Sequence, residues 1–403
     1  MATIGGLQVK YLAALPATAD LVIIGGGVVG AATAFFAARA GLHPLLLERR
    51  PRLCTLTTPA STGAFRLQFD NEEELRMVRR SVELFLNFNE ITGQREYDLD
   101  IRRQGYLFLT TTAEGAERQR RVVSRQHGWG QTDIELLAGD EVRHRFPFVS
   151  ENVRQGRFRQ DDGFLDPKAL TMGLASASGA SVLTGCAVTG FGIEGGRLCG
   201  VETERGSVDT NTAVIAAGPF SGLVAARAGV DLPVQTVRRQ KVIIPDAPEV
   251  PAQAPMTIDD DTATHWRPVL QGAYLLFTDP ATPPSPPAED VTPDHRFAFD
   301  LLDPASPRAV ARVSPFWKNV WERGSTNWIV QAGQYTMTPD HRPLIGQTSI
   351  KGLYANTGYS GHGIMGSPAG SQLLVEVVTG QLPDDRNPFR LDRTFAEREL
   401  DIL

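Results

Sequence analysis

At 403 residues the chain is longer than a single hydrophobic core usually serves, so two domains are expected. A hydrophobic fraction of 42% and a charged fraction of 21% describe a soluble globular protein, and a net charge of −6 with no basic stripe argues against a nucleic-acid partner. The three cysteines, Cys54, Cys186 and Cys199, form no CxxC and no His/Cys ligand spacing, which argues against a metal site and fits a reducing compartment.

The apolar stretch at residues 11–15 is too short for a secretory signal, and no run approaches the ~20 apolar residues of a membrane span, so a cytoplasmic protein is expected. Residues 21–30 read L-V-I-I-G-G-G-V-V-G and lead into small residues, the form of a strand, tight turn and helix that seat a pyrophosphate. Gly25 permits the turn, Gly27 lets the backbone approach the phosphates, and Gly30 lets the helix, beginning near Val28 and Val29, pack on the strand. Residues 45–48 are a short buried strand ending in Glu48, close to the ~20-residue spacing of an acid that binds a ribose hydroxyl. An acid there, followed by Arg49, favours a dinucleotide without a 2′-phosphate.

Residues 49–63 form a loop by composition, residues 72–90 have helical spacing, and residues 105–111 alternate like a strand. The arginines at 118, 120, 121 and 125 read as a solvated helix face. Asp161-Asp162-Gly163 signals a turn, and Asp166-Pro167 starts a helix. Residues 181–218 read as short strands with turns at Gly195-Gly196 and Arg205-Gly206. They predict a three-stranded meander from Val188 onward, returning to a parallel sheet at 213–216, where Ala217 and Gly218 come near the cofactor. Strands are expected at 241–244 and 274–277, with a proline-rich surface loop at 280–293 between this part and the last motif.

A second strand, glycine loop and helix follow in residues 353–378, with Gly358, Gly361, His362, Gly363, Ile364 and Met365 at the helix start. Two such ends facing one cofactor suggest that one takes the diphosphate and the other an electron-rich group. A reduced flavin, whose N1–C2=O edge becomes anionic, supplies that group, and a helix N-terminus stabilises it.

The spacing of Gly25-x-Gly27-x-x-Gly30, Glu48, the 61–66 loop with Ser61, Thr62, Gly63 and Arg66, Ala216-Ala217-Gly218, the 338–346 run and Gly358-x-Ser360-Gly361-His362-Gly363 resembles the flavin-dependent amine and D-amino-acid oxidoreductases. The resemblance implies an α/β fold. A Rossmann-like FAD-binding domain would be built from discontinuous segments, with an α+β substrate domain of mostly antiparallel sheet. The expected segments are 18–95, 155–230 and 328–390 for FAD, and 96–154 and 231–327 for substrate. It implies oxidation of the C–N bond of a secondary amine or amino acid by hydride transfer to flavin N5, giving an imine that hydrolyses, with oxygen or another electron acceptor.

In sarcosine oxidases of this type, cations stand where this chain has Phe69 and Met365. Related glycine oxidases have an arginine at Tyr335. A substrate carboxylate would therefore need another anchor, for which Arg267 is the first candidate, with Tyr274, Lys241 and Arg239 on neighbouring strands. Arg66 is expected beside the flavin, and His362 to polarise the flavin or donate to substrate; His265 and His341 are weaker candidates. Gly333 occupies the position of the cysteine that attaches FAD in monomeric sarcosine oxidases, so non-covalent FAD is expected. Two alternatives stand beside this reading: a flavoprotein assembly or binding factor without turnover, and a flavin oxidase of an alcohol or polyol carbon, for which Arg238-Arg239 is the candidate phosphate-binding pair.

Overall fold

The computed structural model describes residues 3–4, 7–324 and 327–396. Two large sheets organise them. The first has seven strands in the order Leu344–Gln347, Leu353–Thr357, Ala213–Ile215, Leu21–Ile24, Pro44–Glu48, Ser181–Thr184 and Lys10–Tyr11, parallel except at the first pair. Its central strands are apolar throughout, save Glu48 at the end of its strand, because both faces are covered. Alternation divides them: Leu21, Ile23 and Leu46 join the core under helices Val28–Arg39, Pro167–Ala177 and Gly363–Val378, while Val22, Ile24, Leu45 and Leu47 pack under the meander on the other side. The meander comprises Val188–Glu194, Arg197–Thr203 and Gly206–Asp209, with Gly195, Gly196 and Gly206 at positive φ in its turns.

The second sheet has eight strands in the order Ile329–Met337, Gln235–Ile244, Gly272–Phe277, Thr264–Val269, Met256–Asp259, Tyr106–Thr110, Gln155–Arg159 and Glu135–Ala138. Only Met256–Asp259 and Tyr106–Thr110 run parallel. Three strands depart from the segment boundaries expected from sequence. Gln155–Arg159 and Ile329–Met337, expected with the nucleotide half, belong to the second sheet, the latter paired from Gln235↔Met337 to Ile243↔Ile329. Lys10–Tyr11, placed before the first segment, adds an edge to the first sheet. In each case motif spacing marked the boundary, whereas the backbone N–H and C=O groups follow the strand that can satisfy them. Residues 325 and 326, inside the expected 231–327 segment, lie outside the described residues.

The two glycine loops meet because the first and last helices pack together over strand Leu353–Thr357. A buried polar knot fixes their register: Asn356 Nδ2 donates to Thr33 Oγ1 at 3.2 Å and Ser371 Oγ at 3.0 Å, and the Tyr359 hydroxyl donates to Asn356 Oδ1 at 2.6 Å. A Cβ at Gly370 would stand 2.2 Å from that hydroxyl. Among the described residues no helix is long and apolar enough to cross a membrane.

Candidate active site

Two adjoining cavities run between the sheets. The first is lined by Gly25, Gly27, Val28, Val29, Glu48, Arg49, Ser61, Val188, Ala217 and Gly218 from the first half, and by Gly358, Gly361, Gly363 and Ile364 from the last loop. Both glycine-loop helix ends therefore open onto one space. The glycines of the first loop divide the work. A Cβ at Gly25 would lie 2.4 Å from the Ala216 carbonyl, and one at Gly30 would lie 1.8 Å from the Gly25 carbonyl, so both allow close backbone packing. Gly30 shapes the turn without lining the cavity, and so does Gly63, at φ +72, whose Cβ would meet the Leu165 carbonyl at 2.0 Å. Gly27 meets only Thr58 Oγ1, at 3.2 Å, and faces the cavity. Glu48 accepts from the backbone N–H of Gly26 at 2.7 Å and of Arg50 at 2.8 Å, which holds its carboxylate at the end of its strand. This cradle of close-packed glycines, a helix N-terminus and a strand-end acid fits a dinucleotide.

Arg49 stacks on Phe220, 3.6 Å from the ring centre, and with Arg50 pairs with Glu289. The proline-rich span expected as a surface loop is tethered here to the cofactor half and to the strand carrying Gln334. Gln334 Nε2 donates to the Pro286 carbonyl at 2.7 Å, and Gln334 Oε1 accepts from Ala288 N–H at 2.8 Å. Cys54 and Cys186 both line this cavity, but beside Gly26 and Glu48 at the dinucleotide end, and burial pushes the Cys54 thiol up to about 11.

The second cavity, about 820 Å³, shares Ser61, Tyr335, Ser360, Gly361 and Ile364 with the first. That volume is within the range of small-molecule sites. Thr62, Arg66, Tyr106, Arg239, His265, His341, His362 and Met365 face it. Arg66 is 1% exposed. Its Nη2 lies 3.4 Å from His362 Nε2, and His362 Nδ1 lies 3.2 Å from Glu74 Oε1. Burial opposes ionisation of Glu74, but the hydrogen bond and charge of His362, the Asn71 amide at 2.7 Å and the charge of Arg342 outweigh it and hold the carboxyl below its usual range. In the neutral tautomer that carries its proton on Nδ1, His362 donates to Glu74 and its Nε2 accepts from Arg66. Phe69 packs edge-on against the His362 ring. Nη1 of Arg66 is buried without a partner. His265 donates Nδ1–H to the Ala263 carbonyl at 3.0 Å, and burial brings its pKa down to about 4, which keeps the ring neutral.

Arg267 and Tyr274, expected to touch substrate, line neither cavity. Arg267 Nε donates to the Thr62 carbonyl at 2.9 Å and Nη1 to Pro268 O at 3.0 Å, with the guanidinium between the Phe164 and Tyr274 rings. Lys241 also lies against Tyr274, 4.3 Å from the ring centre, and donates to the Ser61 carbonyl at 2.8 Å. These three side chains brace the 61–62 turn from behind. Arg118, read as part of a solvated face, lines the cavity mouth and donates to the Asp260 carbonyl at 2.9 Å. Arg238 and Arg239 do not form a pair: strand alternation sends Arg238 to the Thr292 carbonyl and Arg239 to the cavity. Glu74, Tyr106 and Glu289 were not expected from sequence. Glu74 stands in the first turn of helix Glu72–Leu86 beside two other acids, and the only hint that it differs is Asn71, whose side chain caps that turn.

The chain is 27% identical to FAD-dependent oxidoreductase domain-containing protein 1 of Xenopus laevis, covering 90% of this chain and 79% of that one. It is 28% identical to human mitochondrial sarcosine dehydrogenase over 94% of this chain, which spans only 42% of that longer protein. Among solved structures, L-proline dehydrogenase from P. horikoshii superposes with a TM-score of 0.80 at 26% identity, covering 93% of this chain and 96% of that one. The profile of the FAD dependent oxidoreductase family, DAO, matches residues 20–377, and the chain belongs to that family of flavoenzymes.

Proposed function

We propose that this protein oxidises the C–N bond of a secondary amine or amino acid at an FAD held non-covalently between the two glycine loops. The observation that carries the reading is the shared wall of the two cavities. The last-helix loop, with Ser360, Gly361 and Ile364, faces the cofactor space on one side and a substrate-sized space on the other. The names of the relatives, sarcosine dehydrogenase and L-proline dehydrogenase, support an amino acid bearing a secondary amine. When bound, the flavin supplies the two-electron acceptor for hydride and hands the electrons on to oxygen or another oxidant.

The chain's own groups do the rest. The N-terminus of helix Gly363–Val378 supplies partial positive charge where anionic charge develops. Arg66, held by His362 and Glu74, adds a fixed cation without a mobile counterion beside it. His265 stays neutral and offers the cavity no competing positive charge that would repel an ammonium. In this reading 18–95, 155–230 and 328–390 hold the cofactor and 96–154 and 231–327 the substrate, with strands Gln155–Arg159 and Ile329–Met337 counted in the substrate sheet. Non-covalent attachment is supported by Gly333 and by the place of Cys54 and Cys186 beside Gly26 and Glu48. Yellow flavin left on acid-precipitated polypeptide would refute it. Anaerobic mixing of the purified flavoprotein with N-methyl amino acids, D-amino acids, prolines and larger amines tests the reading. Loss of the visible absorbance of oxidised flavin with at least one of them is expected, and no bleaching with any would overturn it.

A further inference from the structure

The cations that line the substrate-sized cavity are not equally satisfied. Arg118 faces the carboxylates of Asp260 and Asp261 at 3.8 and 3.9 Å, and Arg308 pairs with Asp279 at 3.5 Å. Among the described residues Arg66 meets no acid directly and its Nη1 is unpartnered, but its Nη2 rests on His362, which Glu74 holds from behind. Arg239 has no acid within ion-pair distance among the described residues. Its Nη1 donates to the carbonyl of Arg238 at 3.2 Å, and its Nε is buried without a partner. Burial lowers its pKa, against weaker support from Tyr335 and from Asp279, which Arg308 already engages. A half-buried guanidinium left unpaired is costly, and in a cavity wall the natural compensation is an anion from outside.

Its position is set by two strands. Arg239 sits on the same face of Gln235–Ile244 as Val237 and Lys241, opposite Gly333 and diagonal to Tyr335 of the neighbouring strand. Its guanidinium lies 5.9 Å from the Tyr335 ring, and that ring abuts Gly361, where a Cβ would be 2.7 Å away. Arg239 therefore reaches toward the loop shared by the two cavities, from the sheet opposite Arg66. Resting on the amine-oxidation reading above, we infer that Arg239 binds the carboxylate of the substrate, which makes that substrate an α-amino acid and not a simple amine. The anchor lies on a different element from Phe69, Met365 and Tyr335, none of which carries a cation.

The test uses the oxidised holoenzyme and does not require turnover. Cyclopentanecarboxylate and its uncharged carboxamide are titrated separately, with perturbation of the visible flavin spectrum as the readout. The carboxylate should bind and the carboxamide should bind at least about 100-fold more weakly, since a guanidinium–carboxylate pair is charge-assisted and bidentate. Arg239→Gln should weaken carboxylate binding by about the same factor while keeping bound FAD and the melting temperature, Arg239→Lys should recover part of it, and Arg66→Gln should perturb the resting flavin spectrum. Equal binding of carboxylate and carboxamide, or unchanged carboxylate binding by a folded, yellow Arg239→Gln protein, overturns the inference. Arg239-dependent carboxylate binding without bleaching by any amine would leave the anchor standing and sink the amine-oxidation reading. Bleaching by amines with equal loss of kcat/KM for carboxylated and decarboxylated substrates in the variant would do the reverse.

Discussion

Replacing Lys241 with methionine removes a titratable amine from a place that water hardly reaches. The side chain is 3% exposed, lies 4.3 Å from the Tyr274 ring centre and donates to the Ser61 carbonyl. Burial first, then the charges of Arg267 and Lys168, bring its pKa from the ordinary 10.5 to about 7. In the unfolded chain the lysine keeps its proton up to its ordinary range, so between those two values the unfolded state holds a proton that the folded state has released. Stability then rises with pH across that window, at up to about 1.4 kcal/mol per pH unit, and falls back as pH drops toward 7. From pH 7 to pH 9 the wild-type protein should gain about 2 kcal/mol on the Lys241→Met protein. Urea unfolding of both proteins at pH 7, 8 and 9 with saturating FAD measures this, and the difference between them cancels every other titrating group. The Met variant also loses the hydrogen bond to Ser61, which offsets the two curves by a constant and leaves the slope intact. Parallel pH profiles for the two proteins would refute a lysine held largely neutral behind the 61–62 turn.

Gly30→Ala would put a methyl 1.8 Å from the Gly25 carbonyl and force the helix start away from the turn. With two charge-assisted hydrogen bonds lost at about 1.5 kcal/mol each, FAD affinity by fluorescence titration should fall at least ~100-fold. Glu74→Gln removes the anion behind His362 and should cost about 1.5–3 kcal/mol of stability at neutral pH. Because the Glu74 pKa is depressed on folding, wild-type protein should lose that advantage as pH falls through and below the usual carboxylate range, and acid unfolding curves of the two proteins should converge there. Arg267→Met should lower unfolding stability by about 2 kcal/mol, because the Thr62 carbonyl loses a charged donor, yet leave carboxylate binding by the holoenzyme unchanged. A large rise in the carboxylate dissociation constant for that variant would return Arg267 to the substrate site.

Much of the cofactor half was legible in the chain alone. Glycine spacing, apolar strands and the acid at position 48 are local patterns, and the physics that demands them acts over a few residues: a turn that needs positive φ, a helix that must touch a carbonyl, a strand buried on both faces. The substrate half was not legible in the same way. Arg267 and Arg239 both read in sequence as cations on or beside strands of the substrate half. Only the folded sheets decided that the first spends its donors on the Thr62 and Pro268 carbonyls behind the wall while the second faces the cavity with a buried nitrogen unpartnered. Likewise Glu74 is one of three acids in a helix turn, and its burial against His362 depends on a contact across 288 residues of chain. Side-chain periodicity states which face a residue occupies. What that face meets is fixed by packing between distant segments, and charge, burial and hydrogen-bond satisfaction are properties of that meeting.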